Sequence, residues 1–256
     1  MSYYVGNGVY EYLSRCPKRD SFYWTSGNLW LLVYGNTYDE PKVLTIASEE
    51  KLEAAETEAE KKAAQMVVKI AGNTGIPVNF VRFDPAAPIE RVRYCERGMK
   101  STSVISSEEL KNRFARYGLI MNQLPAQKSI NDKSSSPYHV WQRLNMGSSV
   151  VVSDIDLLRL ENHEPEEIIE LKRSFIPLDR WRPYEKDYNN FRLLSALAQK
   201  RGLGFYIVYN YRKKTPFFDD VSYLKIFQFD HRRETECSLP GYREIDKFAE
   251  HKLTKW

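Results

Sequence analysis

The stretch Val150–Ser174, VVVSDIDLLRLENHEPEEIIELKRS, holds the residues of this chain best suited to chemistry: two aspartates at alternate positions, then a glutamate and a lysine at alternate positions. Two short apolar runs flank a polar connection, which predicts a hairpin that puts carboxylates on one face. Side chains alternate along a strand, so Asp154 and Asp156 are expected to share a face. Ile168, Glu170 and Lys172 share one as well, while Ile169 and Leu171 point the other way into a core. Carboxylates crowded on apolar strands repel one another and lose hydration. A hard divalent cation such as Mg2+ is the usual counter-charge, so a metal site is the leading expectation.

These residues resemble a known constellation. Asp156, the separation of fourteen positions to Glu170 (170 minus 156), and the triplet Glu170-Leu171-Lys172 look like the D…(D/E)xK core of the PD-(D/E)XK nuclease superfamily, which contains many restriction enzymes and Holliday-junction resolvases. The proline that often precedes the first aspartate there is absent. The resemblance implies that Asp156 and Glu170 hold Mg2+ (Mn2+ is an alternative), that the backbone carbonyl of Leu171 adds a ligand, and that Lys172 orients or activates the attacking water. Asp154 stays open: a supporting carboxylate, a ligand to a second metal, or the residue that starts the strand. The implied activity is a Mg2+-dependent endonuclease hydrolysing phosphodiester bonds of nucleic acid, DNA foremost. The alternative is a non-catalytic nucleic-acid-binding or nuclease-regulating module whose acids are vestigial.

The segment that follows, FIPLDRWRPYEKDYNNFRLLSALAQKR, interleaves cations with Trp181, Tyr184 and Tyr188. Cations meet phosphates and aromatics stack on bases, so Arg173, Arg180, Arg182, Lys186 and Arg192 are the expected nucleic-acid contacts. Phe191, Leu194 and Leu197 recur at helical spacing and face a core. Tyr211, Arg212, Lys213 and Lys214 form a second basic cluster that extends the same surface or merely closes a charged turn.

The elements that must position these groups repeat along the chain. SGNLWLLVY aligns with SDIDLLRLE, KVLTIAS with EIIELKR, GIPVNFVRF with GLGFYIVYN, and SSEELKNRF with LPGYREIDKF. In that alignment Asn28, Thr45 and Ala47 stand where Asp156, Glu170 and Lys172 do, so the first half keeps a scaffold without ligands. The expected fold is α/β: two tandem restriction-endonuclease-like units, each a central mixed sheet flanked by helices, the first degenerate. The expected division is residues 1–122 as the degenerate domain, 123–137 as a Ser/Pro/Lys-rich linker and 138–256 as the catalytic domain. A helix is expected from Ser48 as N-cap to Gly72, another from a Ser106/Glu109 capping box to about Tyr117, and a terminal one from Gly241 to Lys252.

Composition excludes several classes. A chain of 256 residues with 42% hydrophobic content can bury a real core, and a net charge of +4 is too mild to demand nucleic acid by itself. Three widely spaced cysteines argue against a disulfide framework and a CxxC zinc site. No apolar run is long enough for a membrane span and no secretory leader pattern opens the sequence, which leads to the expectation of a cytoplasmic protein without membrane contact. A homodimer is compatible with the resemblance. No Walker-type loop or GxSxG elbow occurs, and the four histidines are scattered.

Overall fold

The computed structural model describes residues 7–25, 27–36, 40–85, 88–96, 102–122, 136–233 and 235–253. The architecture is mixed α/β, with two six-stranded mixed sheets in two compact units. Chain order begins with α1 (Gly8–Arg15) and β1 (Phe22–Tyr23), followed by β2 (Leu29–Asn36), β3 (Pro41–Glu49), α2 (Glu58–Ala71), β4 (Val78–Phe83), β5 (Arg91–Glu96), β6 (Ser103–Ser106) and α3 (Ser107–Arg116). It continues with α4 (Pro137–Asn145), β7 (Val150–Asp154), β8 (Leu157–Glu161), β9 (Glu164–Ser174), α5 (Tyr188–Arg201), β10 (Gly204–Lys213), β11 (Phe218–Phe229), β12 (Cys237–Glu244) and α6 (Ile245–Glu250).

The units do not divide at the expected linker. Thr25–Asp154 forms the first unit, with sheet order β6-β5-β4-β3-β2-β7. The second takes the chain up to Trp24 and from Ile155 onward, with order β1-β8-β9-β10-β11-β12. Helix α4 and strand β7, expected in the second half, therefore belong to the first unit, and α1 with β1 belong to the second. The reason is edge pairing: β7 runs antiparallel along β2, and β1 antiparallel along β8. Of the expected linker, 123–135 lies outside the described residues, while Ser136 caps α4 and Pro137 occupies its first turn, where a missing N–H costs nothing.

Each sheet repeats one pattern: an antiparallel pair, a helix, a strand parallel to the second of that pair, then two more antiparallel strands. Strand β2 is apolar along its length and buried at every residue from Leu29 to Gly35, as a strand covered on both faces must be. In the second unit the hairpin β8–β9 turns through Asn162 (φ 51°) and His163 (φ 65°), the left-handed pair that a two-residue turn matched to strand twist requires.

The long helix starts later than expected. Ser48 lies inside β3, and α2 begins at Glu58 under a reciprocal capping box between Thr57 and Glu60. Ser48 is buried and donates to Glu60 Oε1 at 2.7 Å, so its hydroxyl serves a side chain, not a helix end. Ser106 does cap α3 by accepting from the Glu109 N–H, but the Glu109 carboxylate turns to Arg113 instead of returning to the cap. The expected terminal helix is present but shorter: β12 takes its start as far as Glu244, and α6 covers Ile245–Glu250.

Candidate active site

Strand alternation places the leading residues as the period of two requires. Ile169 and Leu171 turn to the core under α1 and α6, with Val9, Phe22, Leu224 and Phe248. Glu170 and Lys172 take the other face, where Lys172 Nζ sits 5.5 Å from the Phe191 ring centre on α5. Glu170 is buried, and its Oε1 pairs with Lys172 Nζ at 2.7 Å. Lys172 is one-third exposed, so the pair runs from the interior to the surface.

Asp156 stands immediately before β8, half-buried, beside the β9 backbone. Its Oδ2 accepts from the Leu171 N–H at 2.8 Å, and its own carbonyl accepts from the Tyr10 hydroxyl of α1 at 2.8 Å. The carboxylate is thereby fixed against the middle residue of the Glu170-Leu171-Lys172 triplet. Tyr10 stacks on Trp24 at 5.3 Å, and the Arg19 guanidinium lies 3.9 Å from the Trp24 ring centre. Tyr10 escaped sequence reasoning, because nothing local links it to a residue 146 positions away.

Asp154 is not on a strand with Asp156. It ends β7 opposite Leu32 of β2, in the sheet of the first unit, and the second unit resumes at the next residue, the buried Ile155. The expected single hairpin over Val150–Ser174 is instead a strand of one sheet followed by the β8–β9 hairpin of the other.

The basic residues divide into two kinds. Arg180, Arg182 and Lys186 are exposed, with Lys186 Nζ 5.4 Å from the Tyr184 ring centre. Arg173 is turned inward to Asp219 Oδ2 at 2.7 Å, and half-buried Arg192 forms a two-pronged pair with Glu236 at 2.6 and 2.8 Å. Those two serve the fold. Trp181 is likewise interior, stacked on Tyr209 at 4.2 Å, while the buried Lys225 Nζ donates to the Trp181 carbonyl at 2.8 Å. Burial lowers the Lys225 pKa and Arg182 lowers it further, against Asp179, which raises it.

Among its described residues the first unit has no counterpart of the Glu170–Lys172 pair on β3, though by other residues than the alignment named. Ala47 packs in the core under α3 and α4, the face opposite the inserted helix. The residues of β3 on the α2 side include Ser48, which reaches Glu60, and Ile46, which lines a cleft of about 280 Å³ with Val68, Phe80 and Cys95. A slip of one residue in aligning β3 exchanges faces, so Thr45 and Ala47 are not the counterparts of Glu170 and Lys172. No carboxylate or lysine occupies the α2-facing positions Ile46 and Ser48 either. The acid nearby is Glu60 of α2, held by Arg82 at 2.7 and 3.0 Å; burial raises its pKa, but Arg82, Ser48 and the Thr57 N–H outweigh that and hold it below the ordinary carboxylate value.

Among the described residues no group of three or more His, Cys, Asp or Glu side chains is placed to hold a metal ion, and the three cysteines are free thiols. No described helix is long and apolar enough to cross a membrane. No family model, curated protein or solved structure matches the chain.

Proposed function

We propose that the second unit is a Mg2+-dependent nuclease of the PD-(D/E)XK type, an endonuclease acting on nucleic acid, DNA foremost, and that the first unit is a non-catalytic relative of it. The observation that carries this reading is the Asp156 carboxylate bonded to the Leu171 amide, which gathers Asp156, Glu170 and Lys172 around one peptide. The donor set fits a hard cation: two carboxylates and the Leu171 carbonyl are all oxygen, and Mg2+ takes one or two carboxylates and keeps several waters. An ionised carboxylate offers about four acceptor positions, so the hydrogen bond from Leu171 is compatible with metal binding. When bound there, the cation supplies Lewis acidity to the phosphate under attack.

The residues of the chain do the rest. Glu170 holds the Lys172 ammonium at 2.7 Å, where it orients the attacking water and meets the charge that develops on phosphorus-bound oxygen. Leu171 and Tyr10 clamp Asp156 from both ends. Exposed Arg180, Arg182 and Lys186 neutralise flanking phosphates and fix the register of the strand.

The test is cleavage of supercoiled plasmid with Mg2+ or Mn2+ by the parent, Glu170→Gln and Lys172→Ala. Each variant should keep its melting transition and lose roughly a hundredfold or more in rate, the scale of a positioned acid–base or electrostatic group. With one competent unit per chain, open-circular product should precede linear. A folded Lys172→Ala protein that cuts at the parental rate sinks the assignment; absence of cleavage with salt-dependent binding leaves the binding-module alternative.

A further inference from the structure

We propose that the tip of the β10–β11 hairpin is a clamp for unpaired bases of a nucleic-acid strand passing the candidate active site. Three large aromatics stand exposed there: Phe217 by 68%, Phe218 by 41%, and Phe175, just past β9, by 44%. The Phe175 and Phe217 rings meet edge to face at 6.4 Å. Each ring carries its own cation: Lys214 Nζ is 5.0 Å from the Phe175 centre, the Arg212 guanidinium 5.2 Å from Phe217, and Lys213 Nζ 4.9 Å from Phe218.

The patch is built on a stiff base. Arg212 and Lys213 are tied to Asp219 and Asp220 at 2.8 and 3.0 Å, and Asp219 is tied in turn to Arg173. Its place in the sheet matters as much. Strands β9 and β10 run parallel, with Tyr209 beside Lys172 and Tyr211 beside Ser174, so the tip extends the same strand ends that carry Lys172. The carboxyl ends of parallel strands are where open α/β sheets take their ligands.

Exposed aromatics in one cluster mark a binding surface, and the alternation with cations specifies its chemistry. A flat ring with a positive group over it matches a nucleobase and its phosphate, repeated along a strand. Bases inside a duplex are stacked on one another and present no face to a phenyl ring; unpaired bases do. The inference rests on the proposed nuclease reading for its substrate, and names the part of that substrate the tip would hold.

The experiment is fluorescence anisotropy of the full chain in EDTA with three labelled probes: a single-stranded oligonucleotide, an abasic strand of equal length, and a duplex. The parent should bind the base-bearing strand roughly tenfold more tightly than the abasic one, the scale of base–aromatic stacking. The double variant Phe217→Ala, Phe218→Ala should abolish that preference without changing abasic or duplex binding, and Phe217→Trp should retain it. Equal affinity of the parent for base-bearing and abasic strands overturns the proposal. So does an Ala variant that keeps the preference. No cleavage is read, so inactive Glu170–Lys172 chemistry and a failed clamp give different results.

Discussion

Asp219 concentrates the charge balance of the second unit: Arg173 at 2.7 Å, Arg212 at 2.8 Å and the Gly8 N–H at 3.1 Å all reach its carboxylate. Burial alone would raise its pKa, but Arg212, Gly8 and Arg173 outweigh that and hold it below the ordinary carboxylate value. A carboxyl whose folded pKa is depressed contributes stability above its unfolded pKa of about 3.9, and that contribution is lost as pH falls through the folded value. Asp219→Asn should therefore cost about 3 kcal/mol at neutral pH, since it strands two guanidiniums, and the gap to the parent should narrow as the pH is taken below the unfolded carboxyl value of about 3.9. Urea melts of both proteins across that range check it, and a gap that stays constant refutes the charge origin. At this scale, sequence reading succeeded where the period of two governs: Glu170 and Lys172 share a face as alternation requires. It failed for Tyr10, Gly8 and Asp219, whose partners lie far along the chain, and for Arg173, whose type says cation but not which way it points.

At the scale of elements, the candidate site depends on a helix and strand that come first in the chain. Phe22 of β1 is buried against Phe248, and the Arg159 guanidinium lies 4.5 Å from the Phe22 ring centre while its Nε pairs with the buried Glu167 at 2.9 Å. Gly8 opens α1 where a Cβ would stand 2.9 Å from that of Asp219, so only glycine lets the helix approach β11. Removing residues 1–24 should thus damage the second unit and spare the first. Hydrogen exchange is the measurement: amides of β8 and β9 should lose protection, while β2, β3 and β4 keep theirs. Loss confined to the first unit would contradict the sheet order. Strand positions were legible because runs such as LWLLVYG and EIIEL are too apolar for anything but a covered sheet. The start of α2 was not, because Ser48 imitates an N-cap; the capping box that opens at Thr57, nine residues on, satisfies the helix end better.

For the whole molecule, the repeat of strand order was readable in the alignment, but the division of the chain was not, since low similarity between segments carries no information on which edge a strand joins. The segment α4–β7 closes the first unit at the end of its continuous stretch, whereas α1–β1 exchanges the unit that follows it in sequence for the second one, across the whole of Thr25–Asp154. Synthesis from N to C terminus gives that exchange a cost in time. The first unit has all its strands once Asp154 has left the ribosome, whereas α1 and β1, made ahead of that unit, must wait with Val9, Leu13 and Phe22 uncovered until β8 and then Phe248 emerge. Apolar side chains left open during translation are what holdase chaperones bind. Nascent chains stalled near residue 185 should show protease-resistant β2–β4 beside a cleavable α1, and α1 should become resistant only when the second unit is fully outside; early resistance of α1 would refute this order. A segment made ahead of the first unit is thus buried after it.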